Sequence, residues 1–472
     1  MRTSCQSTLF RYSLIALATL AATGVYAQSS VQIYGVVDAR INSIKTDNNG
    51  TLTRLDNSGA ASSRLGFRGT EDLGGGLKAK FVLEMGMNND TGAGQNTTAN
   101  NTNMGQNLSV GSGSWKAGQT VDASTYRTQG NTPSSSGLGG LQGLTFGRQA
   151  FVGLEGGFGE VRLGRDYAPT FWNLSVYDPF GTNGVGQSHN ISLGTMHPVG
   201  AFIAPPGSAA PGVRSSNAIN YFTPTMNGFQ ANAMYGFSEQ RTNCLGVNTV
   251  GATDSVANGC DAQKGDGEYM GIRLMYNQGP LSLSAATGKT KYANKLTAEA
   301  RAIMVQEVGI NNGPAQIGNV PFMGDYTAMN IGASYDFGVA KAMFQYGTQK
   351  RAAYTNTGYD AAGAIVDTAV VAQTLKHTGL GVAVPMGATT LKASYNWGSR
   401  NSTTAGAADL KANQLAVGAN YALSKRTQLY ATYSTLTAKN GATAALATVS
   451  NASSTTQSKK SSGYDIGLSH SF

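Results

Sequence analysis

A chain of 472 residues with 62 Gly, 21 Tyr and only 12% charged side chains is rich in turns and aromatics, which speaks against a helical enzyme. Its 34 Lys and Arg against 25 Asp and Glu give a formal charge of +9. After residue 27 no run of about eighteen apolar residues occurs, which excludes a transmembrane helix by length, and a mean hydropathy of -0.20 suits a wall whose two faces alternate.

At the start of the chain, Arg2 and Arg11 precede an apolar stretch from Leu14 to Ala22, and Val25-Tyr26-Ala27 forms a small-residue cleavage pattern. Residues 1–27 are expected to be a removed signal peptide. Cys5 falls within it, leaving Cys244 and Cys260. A disulfide between these two would close a loop rather than hold a core. Two thiols without a nearby histidine cluster argue against a metal site.

Strands then follow one another. Val31, Ile33, Gly35, Val37, Ala39 and Ile41 share one face, with Gln32, Tyr34, Asp38 and Arg40 on the other. Residues 62–70 place Leu65 and Phe67 outward and Arg64 and Arg68 inward. A tight turn at 71–75 leads to 77–85, with Phe81 and Leu83 outward and Lys78, Lys80 and Glu84 inward. Further strands are predicted at 145–154, 159–168, 213–222, 228–238, 267–278, 281–290, 326–337, 339–350, 374–384, 388–399, 412–423 and 426–437. The last, 463–472, sets Tyr464, Ile466, Leu468, His470 and Phe472 on one face.

The total is about sixteen strands, an even number wide enough for an aqueous lumen. Brief turns such as Gly279-Pro280 and Ser424-Lys425 alternate with long polar stretches at 87–140, 169–212, 239–266, 291–324, 351–373 and 439–461. No linker divides the chain, so residues 28–472 are predicted to form one all-β domain, a 16-stranded antiparallel transmembrane barrel.

Several segments in this order carry a specific likeness. They are Val31-Gln32-Ile33-Tyr34-Gly35 with Asp38, Ser63-Arg64-Leu65-Gly66-Phe67-Arg68-Gly69, Phe146-Gly147-Arg148-Gln149-Ala150-Phe151-Val152-Gly153-Leu154, Gly157-Phe158-Gly159, Leu163-Gly164-Arg165-Asp166-Tyr167 and the terminal Phe472. Over the whole mature sequence the chain resembles the trimeric general porins of beta-proteobacteria such as Burkholderia, Bordetella and Neisseria. The resemblance implies an outer-membrane homotrimer that passes small hydrophilic solutes and ions by diffusion. It further implies contact with outer-membrane lipid and lipopolysaccharide, and recognition of Phe472 and its strand by the barrel-insertion machinery. No cofactor and no nucleic acid enter this picture.

The same resemblance implies a third loop folded into the lumen, here at about 168–213, with acidic residues facing an arginine ladder. Arg64 and Arg148 match inward wall positions, Arg214 opens the strand after the loop, and Arg40 and Arg68 extend the ladder by alternation; Asp38 shares their face. In a narrow polar channel such fixed charges decide which ions enter. The stretch 169–212 departs from the cation-preferring pattern, since Asp178 is its one acidic residue. Removing Arg2 and Arg11 leaves 32 basic against 25 acidic residues, or +7, and anion preference is expected. An alternative puts several of these bases at the periplasmic rim or on lipopolysaccharide phosphates. Arg165 falls outward by alternation, where lipid would be costly. Resemblance therefore assigns it to a subunit interface. The family's second loop latches onto a neighbour, but an Asn, Thr and Ser rich insertion expands it here.

Other functions fit these residues less well. An outer-membrane enzyme would need a nucleophile with a base, and His189, His197, His377 and His470 have no Ser or Cys partner by spacing; the Gly-x-Ser-x-Gly elbow is absent. Gly288-Lys289-Thr290 ends like a phosphate-binding loop, but Leu283 stands where its first glycine belongs. An adhesive anchor would carry a passenger before the strands. A channel specific for a sugar or organic anion would line its lumen with aromatics, for which Tyr34, Tyr167, Phe171 and Trp172 are candidates, although such residues more often form interface girdles.

Overall fold

The computed structural model describes residues 30–48, 50–94, 146–194, 196–198, 212–238, 267–292, 324–359, 365–404, 406–446 and 458–472. The expected signal peptide, Cys244, Cys260 and much of the predicted polar stretches lie outside the described residues.

Among the described residues eighteen antiparallel strands form one sheet. In chain order these are β1 (Ser30–Thr46), β2 (Gly50–Asn57), β3 (Arg64–Gly74), β4 (Leu77–Asn88), β5 (Ala93–Gly94), β6 (Gln149–Gly156), β7 (Gly159–Tyr167), β8 (Arg214–Phe222), β9 (Phe229–Gly236), β10 (Tyr269–Gln278), β11 (Leu281–Thr290), β12 (Tyr326–Asp336) and β13 (Lys341–Arg351). After β14 (Tyr354–Tyr359) and β15 (Ile365–Val370), which pair as a separate hairpin, come β16 (Gln373–Met386), β17 (Thr389–Arg400), β18 (Leu410–Ala422), β19 (Thr427–Lys439) and β20 (Lys460–Ser471). β2 and β3 share one wall position, because β1 pairs with β3 over its first residues and with β2 over its last. The short β5 is a spur on β4. The wall is thus a ring of sixteen, closed by β1 against β20 from Val36↔Ser471 to Thr46↔Ser461.

Period-two alternation sorts the two faces. Val31 (68% exposed), Ile41 (53%) and Ile466 (55%) point outward, while their neighbours Asp38, Arg40 and Asp465 are buried on the other face. The pattern breaks down above the apolar band. Residues 42–61, left unassigned by periodicity, complete β1 and build β2, whose sequence Gly-Thr-Leu-Thr-Arg-Leu-Asp-Asn is mostly polar on both faces. Lipid no longer dictates the outward residue there, so cross-strand pairing alone defines the strand.

Between β7 and β8 the chain leaves the wall. Ala168 is extended, and Pro169 supplies a preset φ for the first turn of helix α1 (Pro169–Val176). A short α2 (His189–Ser192) follows. α1 packs on β9 to β12 and α2 on β16 to β18, all on the polar face. One close approach depends on a missing side chain: the Tyr177 ring fills the space where Gly332 of β12 would carry a Cβ. An apolar cluster of Ile44, Val185, Ile191, Met196, Leu375 and Leu436 joins the segment to the wall.

Candidate functional site

The polar face carries three carboxylate-centred clusters. In the first, Arg40 is 1% exposed and binds Asp465 at 2.6 Å and Asp56 at 3.0 Å. Asp465 also accepts from Asn42 Nδ2 at 2.6 Å and from the Val185 amide at 2.7 Å. One side chain on β20 therefore ties β1 to the segment between β7 and β8. Nearby, Asp38 accepts the amides of Gly59, Ala60 and Ala61 and the Tyr430 hydroxyl at 2.6 Å, which shapes the bend between β2 and β3.

Glu84 of β4 centres the second cluster. Arg148 donates to it at 2.7 Å, Arg64 lies at 3.6 Å, and the Tyr34 hydroxyl donates at 3.0 Å. Arg214 stacks over Tyr167 at 4.6 Å and donates to its hydroxyl at 3.1 Å. Tyr167 in turn stacks on Phe171 and meets Trp172 edge-on, both at 5.1 Å. Arg68 stands apart, exposed, bonded to Gln32 at 2.9 Å and stacked over Tyr34 at 4.8 Å. In the third cluster Arg162 binds Glu160 at 2.9 Å and Asp166 at 3.0 Å between the rings of Phe151 and Phe222.

Arg165 is buried, and its acceptors lie within its own chain: the Gly147 carbonyl and Ser216 Oγ, both at 2.6 Å. The cause is a register shift between β7 and β8 at Gly164/Asp166, with Asn217 in the left-handed region at φ 54°. Register on the β6 side keeps Arg165 opposite Ala150, the outward position that alternation assigns, while the bulge in β8 supplies its acceptor. Asp178 is likewise turned to local use, accepting the amides of Phe180 (2.9 Å), Ser188 (2.8 Å) and Thr182 (3.3 Å). Burial raises its carboxyl above the ordinary value, against the pull of those amides.

A second set of inward bases faces neutral groups. Arg273 donates to Asn173 Oδ1 at 2.6 Å and Ser284 Oγ at 3.0 Å. Arg351 donates to the Val371 carbonyl at 3.0 Å and Arg400 to the His197 carbonyl at 2.8 Å. Among the described residues none of these three has a carboxylate within 4.0 Å. Their signal in the sequence is alternation alone, as where Arg273 sits between outward Ile272 and Leu274. His197 meets the Tyr326 hydroxyl at 3.2 Å, and burial pushes both His189 and His197 down to about 3, helped by repulsion from His377 at His189 and from Arg400 and then His377 at His197. Both rings are neutral near pH 7. Among the described residues no cluster of His, Cys, Asp or Glu is placed to hold a metal.

At the end of the chain, Phe472 exchanges backbone bonds with Gly35 at 3.1 and 3.2 Å, and its ring lies where a side chain at Gly35 would be.

Comparison with known proteins is consistent across sequence and structure. The model of the Gram-negative porin family matches residues 13–441. The chain is 31% identical over 466 residues to outer membrane porin protein 32 of Delftia acidovorans, covering 98% of this chain and 99% of that one. It is 26% identical over 448 residues to an outer membrane porin protein of Bordetella pertussis, covering 89% and 92%. Among solved structures, an anion-selective porin from Comamonas acidovorans aligns over 94% of this chain and 100% of its own, with 28% identity and a TM-score of 0.60.

Proposed function

We propose, on the ground that the chain belongs to the Gram-negative porin family and is an outer-membrane β-barrel porin, that it conducts small hydrophilic solutes and ions passively with a preference for anions. The observation that carries the preference is the sorting of inward charge. Arg40, Arg64, Arg148 and Arg162 face carboxylates, whereas Arg273, Arg351 and Arg400 face carbonyls, amides or hydroxyls. Uncompensated guanidinium groups beside a polar lumen leave a positive field, which concentrates anions and repels cations. The selectivity named for the Comamonas acidovorans porin supports the same sign.

In this reading the segment 168–198 folds into the lumen and sets its width, held by Asp465 at Val185 and by Tyr177 at Gly332. Asp178 shapes that segment rather than facing the solute. Arg64, Arg148 and Arg214 line the side with Glu84 and Tyr167. The protomers assemble as a homotrimer in outer-membrane lipid. No bond is made or broken during transport, which is the role expected of a channel rather than an enzyme.

The packed rings of Tyr167, Phe171 and Trp172 favour a second reading, a channel with a binding step for a sugar or organic anion. Proteoliposome swelling separates the two. Diffusion gives rates that rise linearly with solute concentration and fall smoothly with solute size, while a specific channel saturates for one solute.

A further inference from the structure

Four neighbouring strands, β16 to β19, carry a row of polar side chains on the outer face of the barrel. Register places Lys376 beside Ser399, Ser399 beside Lys411, and Lys411 beside Lys439. All three lysines are exposed, and among the described residues none has a carboxylate within 4.0 Å. Directly below them Tyr395 and Trp397 lie ring to ring at 5.5 Å, and Asn413 donates to the Tyr395 hydroxyl at 3.1 Å. Together these groups line a groove of about 570 Å³.

The height of the groove limits what can occupy it. Tyr421 marks the outward aromatic near the opposite rim of β18. Ten residues separate it from Lys411, roughly 33 Å along the strand, or about 25 Å of height at the usual tilt. That is the height of the apolar band of an outer-membrane barrel. The lysine row thus stands at the headgroup level of one leaflet, and it lies on the rim with the long connections, the extracellular side of such barrels.

We infer that this groove binds a phosphorylated glycolipid of the outer leaflet. Lys376, Lys411 and Lys439 take its phosphates, Trp397 and Tyr395 stack on its sugar ring, and its acyl chains lie on the apolar wall at Leu415 and Leu380. A phosphate without lipid would meet three flexible, hydrated lysines on an open face. Only an anchored ligand reaches high local concentration there, so the lipid rather than free phosphate is the occupant.

The test is calorimetric titration of the folded, detergent-solubilised full chain with lipopolysaccharide, with the same lipid after dephosphorylation, and with inorganic phosphate. Wild-type protein should bind the first well and the other two weakly. At about fivefold per lysine near an anionic headgroup, the combined Lys376→Gln, Lys411→Gln and Lys439→Gln variant should lose on the order of 100-fold. A second variant, Trp397→Ala, keeps all three charges and should lose several-fold, which keeps the test open if the triple variant folds poorly. Removing Lys341 and Lys425 at the opposite rim should change nothing. Undiminished binding by both groove variants, or equal binding of the dephosphorylated lipid, overturns the inference. Wild-type channel recordings run alongside: conducting protein that binds no lipid overturns this site and leaves the porin reading standing.

Discussion

Replacing Asp465 with Asn removes one negative charge from the most enclosed cluster of the barrel. The native carboxylate accepts from Arg40 at 2.6 Å, Asn42 at 2.6 Å and the Val185 amide at 2.7 Å. An amide in its place keeps one acceptor but turns the other into a donor that faces donors. Arg40 is left with Asp56, which it shares with Arg54. Breaking a buried ion pair from one side costs about 3–5 kcal/mol, because the remaining charge stays out of water. Within that, the bond to Val185 accounts for about 1.5–3 kcal/mol as a charge-assisted hydrogen bond, and this part bears on the loop. The assay pairs denaturant unfolding of the folded barrel with single-channel recording. Asp465→Asn should lose stability by that amount and show a larger, noisier open current as residues around 185 come away from the wall. A variant with both Arg40→Met and Asp465→Leu removes the opposing charges together, and Asp56 retains Arg54. Apolar replacement of a whole buried pair is often neutral, so stability should recover except for the about 1.5–3 kcal/mol of the Val185 bond, while the current stays enlarged because Val185 still lacks its acceptor. Wild-type stability and current in Asp465→Asn would refute the anchor, and recovery of both properties in the double variant would show that the Val185 bond does not hold the loop.

Three other outcomes follow from the same geometry. Changing Arg273, Arg351 and Arg400 together to Gln should shift the zero-current potential toward potassium, with the shift shrinking from 0.1 M to 1 M salt as the Debye length falls from about 10 Å to 3 Å; an unmoved potential would remove these bases from the selectivity account. Gly332→Ala should push the Tyr177 ring off the wall at a cost of about 1–3 kcal/mol, and in a Tyr177→Ala background the same change should cost nothing further; an undiminished cost there points to strain elsewhere in β12. His189 and His197, held down to about 3 when packed, are near 6.5 when released. Protons then favour the released state between those values, so packing is fully stable above about pH 6.5 and weakens as pH falls, by about 1.4 kcal/mol per unit per ring. Unfolding measured from pH 7 to 4.5 should show a slope to which both rings contribute, and His189→Gln with His197→Gln should reduce it by their share; an unchanged slope in the double variant contradicts the assignment.

The barrel was legible because lipid on one side and water on the other impose a period of two, seen as plainly in Ile33 and Ile41 as in Ile466 and Leu468. Where that constraint lapses, as in β2 above the apolar band, neither face is marked and the strand becomes visible only by its pairing with β1. The hairpin of β14 and β15 likewise shows only in its own pairing. Charges were legible as inward positions, but not their partners. Arg40 and Asp465 are 425 residues apart, and only closure of β1 on β20 brings them together. Glu84 was on the inward face from the start, yet nothing local says that it faces both Arg148 and Arg64. Arg165 stays on the outward register opposite Ala150, but the bulge that brings Ser216 to its guanidinium belongs to β8 and is absent from its own strand.

The most direct measurement is the zero-current potential of the purified wild-type protein in a planar bilayer under a KCl gradient. The proposed aqueous channel, with Arg273, Arg351 and Arg400 facing neutral groups among the described residues, predicts stepwise conductance and a potential whose sign reports chloride as the more permeant ion. A potential of the opposite sign would contradict the charge sorting on which the anion preference rests, and membranes that stay silent would contradict the channel itself.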